Sequence, residues 1–390
     1  MLLAANLSPT LFFSTRFMQN KLASSSPPPV LKIGILTFHR CINYGSYWQA
    51  RCLAEGLQAR GHEVVILDHD ARRVNLAEWK CALQPVLPTA VPATDHALYR
   101  QKTEKFFGLF ESLPLSPRFA LDHPADMQEY DLVVVGSDEV WNLAHPWFGR
   151  CPLFYGEGVR ARHLVSYAAS FGNHDAAWGL EPAWAEKLRN FDLISVRDVN
   201  SQAIVKQALG YEPEMVLDPC LQFAVVPEAR DLSHLPQPYV AVYGHNFTES
   251  FIREIRRWAD QQGLPLVSIG YRNDWADVQW LTADPHDFAH VMAGAAAVAT
   301  NFFHGCVFAL RNARPFACET TPYRRFKLEG LMAKIGGTGH LLPADTPAAV
   351  FAACLGQPLD AVITQNIDRL RQTSGAYLDR ALALPQLQPA

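Results

Sequence analysis

The residues best able to do chemistry sit where apolar runs give way to helical patterns. In NFFHGCVFALRNARPF, residues 301–316, a histidine and a glycine follow two phenylalanines and open a new apolar helix pattern. Cationic histidine is disfavoured at a helix N-terminus, where the dipole is positive. That same place favours a bound anion. Ser or Asp would have capped the helix better. His304 is therefore a candidate ligand-facing residue, with Gly305 beside it. In GSDEVWN, residues 136–142, Ser137, Asp138, Glu139 and Asn142 gather polar groups beside Trp141. Asp138 or Glu139 could accept a proton from a hydroxyl, and Trp141 could stack on a sugar ring. HRCINYGSYWQA, residues 39–50, offers Asn43 and Tyr44 as ligand contacts, Gly45 for a tight turn and Ser46 as a helix cap. Arg197, after the apolar run DLISV, can aim a bidentate guanidinium at a phosphate or carboxylate. His245 follows the run YVAVYG, and Asp218–Pro219 reads as a turn that ends the first half.

Residues of this kind need strand ends to carry them. LKIGILTF (31–38), EVVILD (63–68), DLVVVGSD (131–138), HLVSYAAS (163–170), DLISVRD (192–198) and EMVLDP (214–219) predict strands. Helical periods at 46–62 and 199–210 alternate with them, while 71–130 is less regular, with one helix-like stretch. A second half repeats strand, helix and strand from Tyr239. The reading is α/β, with two Rossmann-like doubly wound domains facing a cleft. The expected division is a mobile tail at 1–30, an N-terminal domain at 31–225, a C-terminal domain at 239–358, and a helix and tail at 359–390 packing back towards the first domain. The start of the chain lacks a charged region before its interrupted apolar stretch, and Met18 is an alternative start.

Composition narrows the function. A length of 390 residues suits two domains, and a net charge of −4 without a basic block argues against nucleic acid or an anionic membrane as the main partner. Peripheral membrane contact is the most that is expected. Eight cysteines without metal-ligand spacing read as core residues of a reducing compartment, and the sequence has no metal-ligand cluster. No GxGxxG fingerprint accompanies the first strand, so a dinucleotide is not indicated.

Taken in order, KIGILTFHRCINYGSYWQARCLAEGLQARGHEVVILD, DLVVVGSDEVWN, SYAASFG, SVRD, VLDP and FFHGCVFALRNARPF resemble the polysaccharide pyruvyl transferase family across most of residues 32–335. The resemblance implies a fold like the two-domain GT-B glycosyltransferases, with the active site in the interdomain cleft. It implies transfer of the enolpyruvyl carbons of phosphoenolpyruvate to a sugar hydroxyl pair as a ketal, with release of phosphate, in cell-surface or exopolysaccharide synthesis. The donor is a co-substrate and no cofactor is expected. The acceptor would be a sugar or lipid-linked glycan, and the place of work the cytoplasm, up to the inner face of the membrane. His304 matches the family's FHG histidine, which binds the donor and is implicated in catalysis, and Arg197 matches the arginine of its SVR motif. A polyanionic donor calls for cations and a helix N-terminus. His304, Gly305, Arg197, His245, Arg324 and Arg325 are the expected donor contacts, with His304 as general acid and Asp138 or Glu139 as base. Asn43, Tyr44, Gly45, Ser137, Trp141 and Asn142 are the expected acceptor contacts. Two positions depart from the family's pattern: Phe302 replaces a polar or cationic residue, and Glu139 stands where Gln is usual. A GT-B glycosyltransferase using a nucleotide sugar, and a non-catalytic glycan binder, are the competing expectations.

Overall fold

The computed structural model describes residues 29–88, 90–320 and 325–386. Most of the expected tail at 1–30, and Arg324 among the expected donor contacts, lie outside the described residues.

The first half lays down β1 (Lys32–Leu36), α1 (Tyr44–Gln58) and β2 (Glu63–Ile66). The irregular region then supplies β3 (His69–Asp70), α2 (Arg72–Leu83), α3 (His96–Phe110) and β4 (Phe119–Ala120). β5 (Tyr130–Val135), β6 (Ala161–Ser166), α4 (Pro182–Lys187), β7 (Ser195–Val196), α5 (Val199–Leu209), β8 (Glu214–Met215) and α6 (Pro219–Gln222) complete it. The second half runs β9 (Val240–Tyr243), α7 (Glu249–Gln262), β10 (Leu266–Ile269), β11 (Val278–Trp280), α8 (Pro285–Gly294), β12 (Ala297–Thr300), α9 (Phe303–Arg311), β13 (Phe316–Glu319), α10 (Arg325–Ile335), β14 (Leu341–Leu342), α11 (Ala348–Gly356) and α12 (Ala361–Ala383).

Both main sheets are parallel. The first has the order β2-β1-β5-β6, and the second β11-β10-β9-β12-β13-β14. Numbered within its own half, the second sheet is 3-2-1-4-5-6, the doubly wound order that leaves a crevice where the winding reverses. That reversal falls between β9 and β12, and in the first sheet between β1 and β5. The strands read as continuous apolar runs because helices cover both faces: every residue of β9, β10, β12 and β13 is buried.

Two expected strands are much shorter than their apolar runs. Residues 192–198 and 214–219 pair with each other only over β7 and β8, with single bridges from Leu193 to Val165 and from Val196 to Ala169. Their polar ends leave for other work. Asp198 caps α5 by accepting from the Ser201 amide at 2.7 Å, and Asp218 caps α6 by accepting from the Cys220 amide at 2.9 Å.

The halves share apolar packing. One core runs from Ile33, Leu53 and Phe106 to Phe288, Phe308 and Met332, and on to Tyr377 and Leu378 of α12. Tyr44 stacks on Phe288 with centroids 4.6 Å apart, and Trp48 donates its indole N–H to the Pro285 carbonyl at 2.8 Å. α12 returns to the first half, where the Tyr377 hydroxyl donates to the Ser166 carbonyl and Ser374 Oγ accepts from the Leu217 amide.

Candidate active site

The two reversal points face each other. β1 leads to Asn43, whose side chain accepts from the amides of Gly45 and Ser46 at 2.8 and 3.2 Å and so caps α1. The expected cap, Ser46, is thereby released, and its hydroxyl donates to Asp138 Oδ2 at 2.8 Å. Asp138 follows β5 with a φ of 74°, a conformation that a non-glycine residue holds at a cost and that concentrates at functional sites. Its other oxygen accepts from Arg197 at 3.1 Å. Arg197 is buried just past β7 and also donates to Asp218 Oδ2 at 3.0 Å. The face of Phe303 lies 4.7 Å from its guanidinium carbon.

From the second half, β12 ends at Thr300, and α9 begins two residues before Gly305. The Thr300 hydroxyl donates to the Tyr243 carbonyl and accepts from the Phe302 amide, which fixes the turn. A Cβ on Gly305 would lie 2.0 Å from that hydroxyl oxygen, so Gly305 is there for close packing. His304 projects from the first turn of α9, buried, with Nε2 3.6 Å from Asp218 Oδ2. That separation is an ion-pair distance and too long for a hydrogen bond. His304 Nε2 and Arg197 Nε are both buried without a hydrogen-bond partner. The other edge of the His304 ring rests on Gly45, where a Cβ would fall 1.9 Å from Nδ1.

These groups enclose a cavity of about 180 Å³ lined by Asn43, Ser46, Asp138, Glu139, Arg197, His304 and Lys327, with Tyr243, Phe302 and Phe303 as its aromatic wall. Lys327, on α10, pairs with Glu139 across the two halves. Burial would raise the Glu139 carboxyl, but the Lys327 ammonium overrides it and holds it at about 2. Burial opposes ionisation of Asp218 as well, yet His304, Arg197 and the Cys220 amide hold it below the usual carboxylate range. Burial also disfavours the Arg197 charge, and Asp138 and Asp218 outweigh it.

A second cavity of about 280 Å³ shares the wall of Asn43, Ser46, Asp138 and Glu139. Glu78, Lys102 and His145 line it from the first half, His245 and Tyr271 from the second. Glu78 Oε1 accepts from the Ile42 amide at 2.7 Å, while buried Oε2 has no hydrogen-bond partner. Burial lifts this carboxyl to about 7. Burial also brings the Lys102 ammonium down to about 7, where it donates to the Gly270 carbonyl at 2.9 Å.

Several expected contacts lie elsewhere. Trp141 is fully buried in the first half, its indole N–H donating to the Phe154 carbonyl, so it has no face for a sugar. Asn142 is buried behind Glu139 and orients it through a 2.9 Å bond to Oε2. Tyr44 is buried in the seam between the halves, donating to the Ala283 carbonyl at 2.8 Å. Ser137 is buried beside Arg197 and Asp218 and does not line either cavity. Gly45 serves as the rest for the His304 ring. Arg325 is half-exposed, beside Glu329 at 3.8 Å, and lines neither cavity. Lys327, Asp218, Glu78 and Lys102 escaped the sequence reading as site residues. Only Asp218 carried a signal, its place directly after an apolar run.

Asp218, Cys220 and His304 bring one ligand atom each within 4.8 Å of one another. The Arg197 guanidinium already occupies the carboxylate, and burial pushes the Cys220 thiol well up, so neither feature favours a metal cation here.

The polysaccharide pyruvyl transferase profile matches residues 43–321, well over half of the chain and all but the α10 part of the cavity wall. The chain belongs to this family. No curated protein matches the sequence. Among solved structures, S. aureus MnaA with UDP is similar at 12% identity and a TM-score of 0.52, covering 92% of this chain and 98% of that one. A UDP-glucosyltransferase from Polygonum tinctorium matches at 10% identity and a TM-score of 0.44, over 94% of this chain and 100% of that one. Anabaena Alr3699/HepE with UDP matches at 12% and 0.43, over 90% and 100%. The likeness to MnaA is one of fold, and this family member has the GT-B-like arrangement of two Rossmann-like domains about a cleft.

Proposed function

We propose that this chain transfers the pyruvyl group of phosphoenolpyruvate to a pair of hydroxyls on a sugar. The observation that carries the reading is His304, a buried imidazole at a helix N-terminus whose Nε2 makes no hydrogen bond and lies 3.6 Å from Asp218 Oδ2, set on the wall where the two reversal points meet. The donor would occupy the inner cavity beside His304, Arg197 and Lys327. Its negative groups would compete with Glu139 for the Lys327 ammonium. His304, oriented by Asp218, protonates the donor methylene. A sugar hydroxyl attacks the resulting cationic carbon and gives up its proton. The bond to phosphate breaks, with its electron pair leaving on oxygen, and the second hydroxyl closes the ketal. One hydroxyl proton replaces that spent on the methylene and the other leaves with phosphate, so the step balances without a redox partner.

The acceptor would enter the outer cavity, whose wall includes Glu78 with an Oε2 that makes no hydrogen bond. Asp138 stands on the wall common to both cavities and is the base in this scheme. Glu139, held at about 2 by Lys327, is a poor proton acceptor at neutral pH. Calorimetry with phosphoenolpyruvate is the test. Wild-type protein should bind it, and His304→Gln should bind at least ~10-fold more weakly, the loss of one charged hydrogen bond. Absence of binding to the wild type would sink the reading. Thermal stabilisation by UDP and not by phosphoenolpyruvate would favour a nucleotide-sugar transferase instead.

A further inference from the structure

Isolated apolar side chains on a surface are ordinary, and a cluster of them is not. Leu76, Trp79, Leu83, Val86 and Leu98 are all exposed, and all fall on α2, the loop after it or the start of α3. The other exposed large apolar residues are scattered along the sequence. At 3.6 residues per turn, Arg72, Arg73, Leu76, Trp79, Lys80 and Leu83 share an arc of roughly 120° on α2. Each of the six is exposed. The opposite side carries the buried Val74 and Glu78, and Glu78 is the acid of α2, so the outer face holds three cations and no carboxylate. Trp79 is steadied by Phe107 of α3, with centroids 5.6 Å apart. On α3 itself the exposed Glu104 is paired with Arg100. An apolar stripe flanked by basic residues and free of acids is the face of a helix that lies in a bilayer interface.

We propose that the outer face of α2 docks this protein on an anionic membrane surface. The overall charge of −4 argues against such a partner, but that charge is an average over the chain and this face departs from it. No single described helix is long and apolar enough to cross a membrane, and the contact proposed is a peripheral one. Charge complementarity selects the lipid: three cations with no local acid attract an anionic headgroup layer, and the leucines and Trp79 enter the boundary beneath it. The position suits the site. Val86 lies both on the exposed patch and on the wall of the outer cavity, so a docked molecule would open that cavity towards the lipid surface.

The experiment is co-sedimentation of the full chain with vesicles of phosphatidylcholine alone or mixed with phosphatidylglycerol at about 7:3, with no donor or acceptor present. It therefore reads lipid binding independently of any transfer activity. Wild-type protein should sediment with the mixed vesicles in a salt-sensitive way and poorly with the neutral ones. Arg72→Gln/Arg73→Gln/Lys80→Gln should weaken that binding on the order of 5-fold per cation removed. Leu76→Ser/Leu83→Ser should weaken it while leaving the salt dependence in place. All five positions are exposed, and thermal melting checks that each variant is folded. Equal sedimentation of wild type and both variants, or none by the wild type, overturns the proposal. A concentration-dependent dimer that Leu76→Ser/Leu83→Ser dissolves, with no vesicle binding, overturns it in favour of a second copy of the chain.

Discussion

Gly45→Ala probes the geometry on which the whole site depends. A methyl group there would fall 1.9 Å from His304 Nδ1 and 2.1 Å from Cγ. Comfortable contact needs about 3.5 Å, so roughly 1.5 Å must come from the ring or from the seam between α1 and α9. Overpacking of this kind costs about 1–3 kcal/mol. If the ring yields, it leaves Asp218, and a displacement of about 1 Å near reacting atoms costs on the order of 100-fold in rate. His304→Ala removes the obstacle. In that background Gly45→Ala should lose its penalty and keep only the helix-propensity gain, at most ~1 kcal/mol. Urea denaturation of the four proteins of this cycle should give a coupling of about 1–3 kcal/mol. Phosphate release by Gly45→Ala should fall towards that of His304→Ala, and the double variant should be no slower than His304→Ala. Additive stabilities, within ~0.5 kcal/mol, together with undiminished turnover by Gly45→Ala, would refute the packing of the ring on this glycine.

Two further outcomes follow from charges and burial. Glu139 sits at about 2, below its free value, so it contributes stability that is present above about pH 4.5 and lost as pH falls towards 2. Glu139→Gln should flatten that acid limb by up to about 3 kcal/mol in urea titrations between pH 5 and pH 2, and parallel curves would show that Lys327 does not hold the carboxyl down. Trp141→Ala should cost about 3–5 kcal/mol of stability, as befits a buried ring, whereas Trp141→Phe should fold and turn over with an unchanged acceptor KM. A raised acceptor KM in well-folded Trp141→Phe would restore a sugar-stacking role.

What was legible in the sequence was the set of strand ends. Asn43, the neighbours Asp138 and Glu139, Arg197 and His304 come from four separate stretches of the chain and line one cavity, because parallel sheets deliver the residues after their strands to one edge. The direction of each side chain past that edge was not legible. Trp141 stands two residues beyond Glu139 but turns into the core, where its indole N–H donates to the Phe154 carbonyl, a turn that no apolar pattern announces. Lys327, Glu78 and Lys102 come from helices, where a buried charge looks like any surface residue until the neighbouring elements cover it. Asp218 read as a plain turn because its partners, Arg197 and His304, arrive from 21 and 86 positions away.

The apolar core that passes through both halves bears on how substrates get in. Domains that clap shut around a ligand do so by parting at a wet, weakly joined boundary. Here the boundary holds an apolar seam beside the cavities: Tyr44 lies flat on Phe288, and α12 straps the second half to the first. Gaping would expose that oil-like seam to water at every catalytic cycle. Entry and exit are thus left to side chains and loops at the rim. The protein should melt in one calorimetric transition, and a chain severed between residues 226 and 238 should yield two fragments that fail to fold apart.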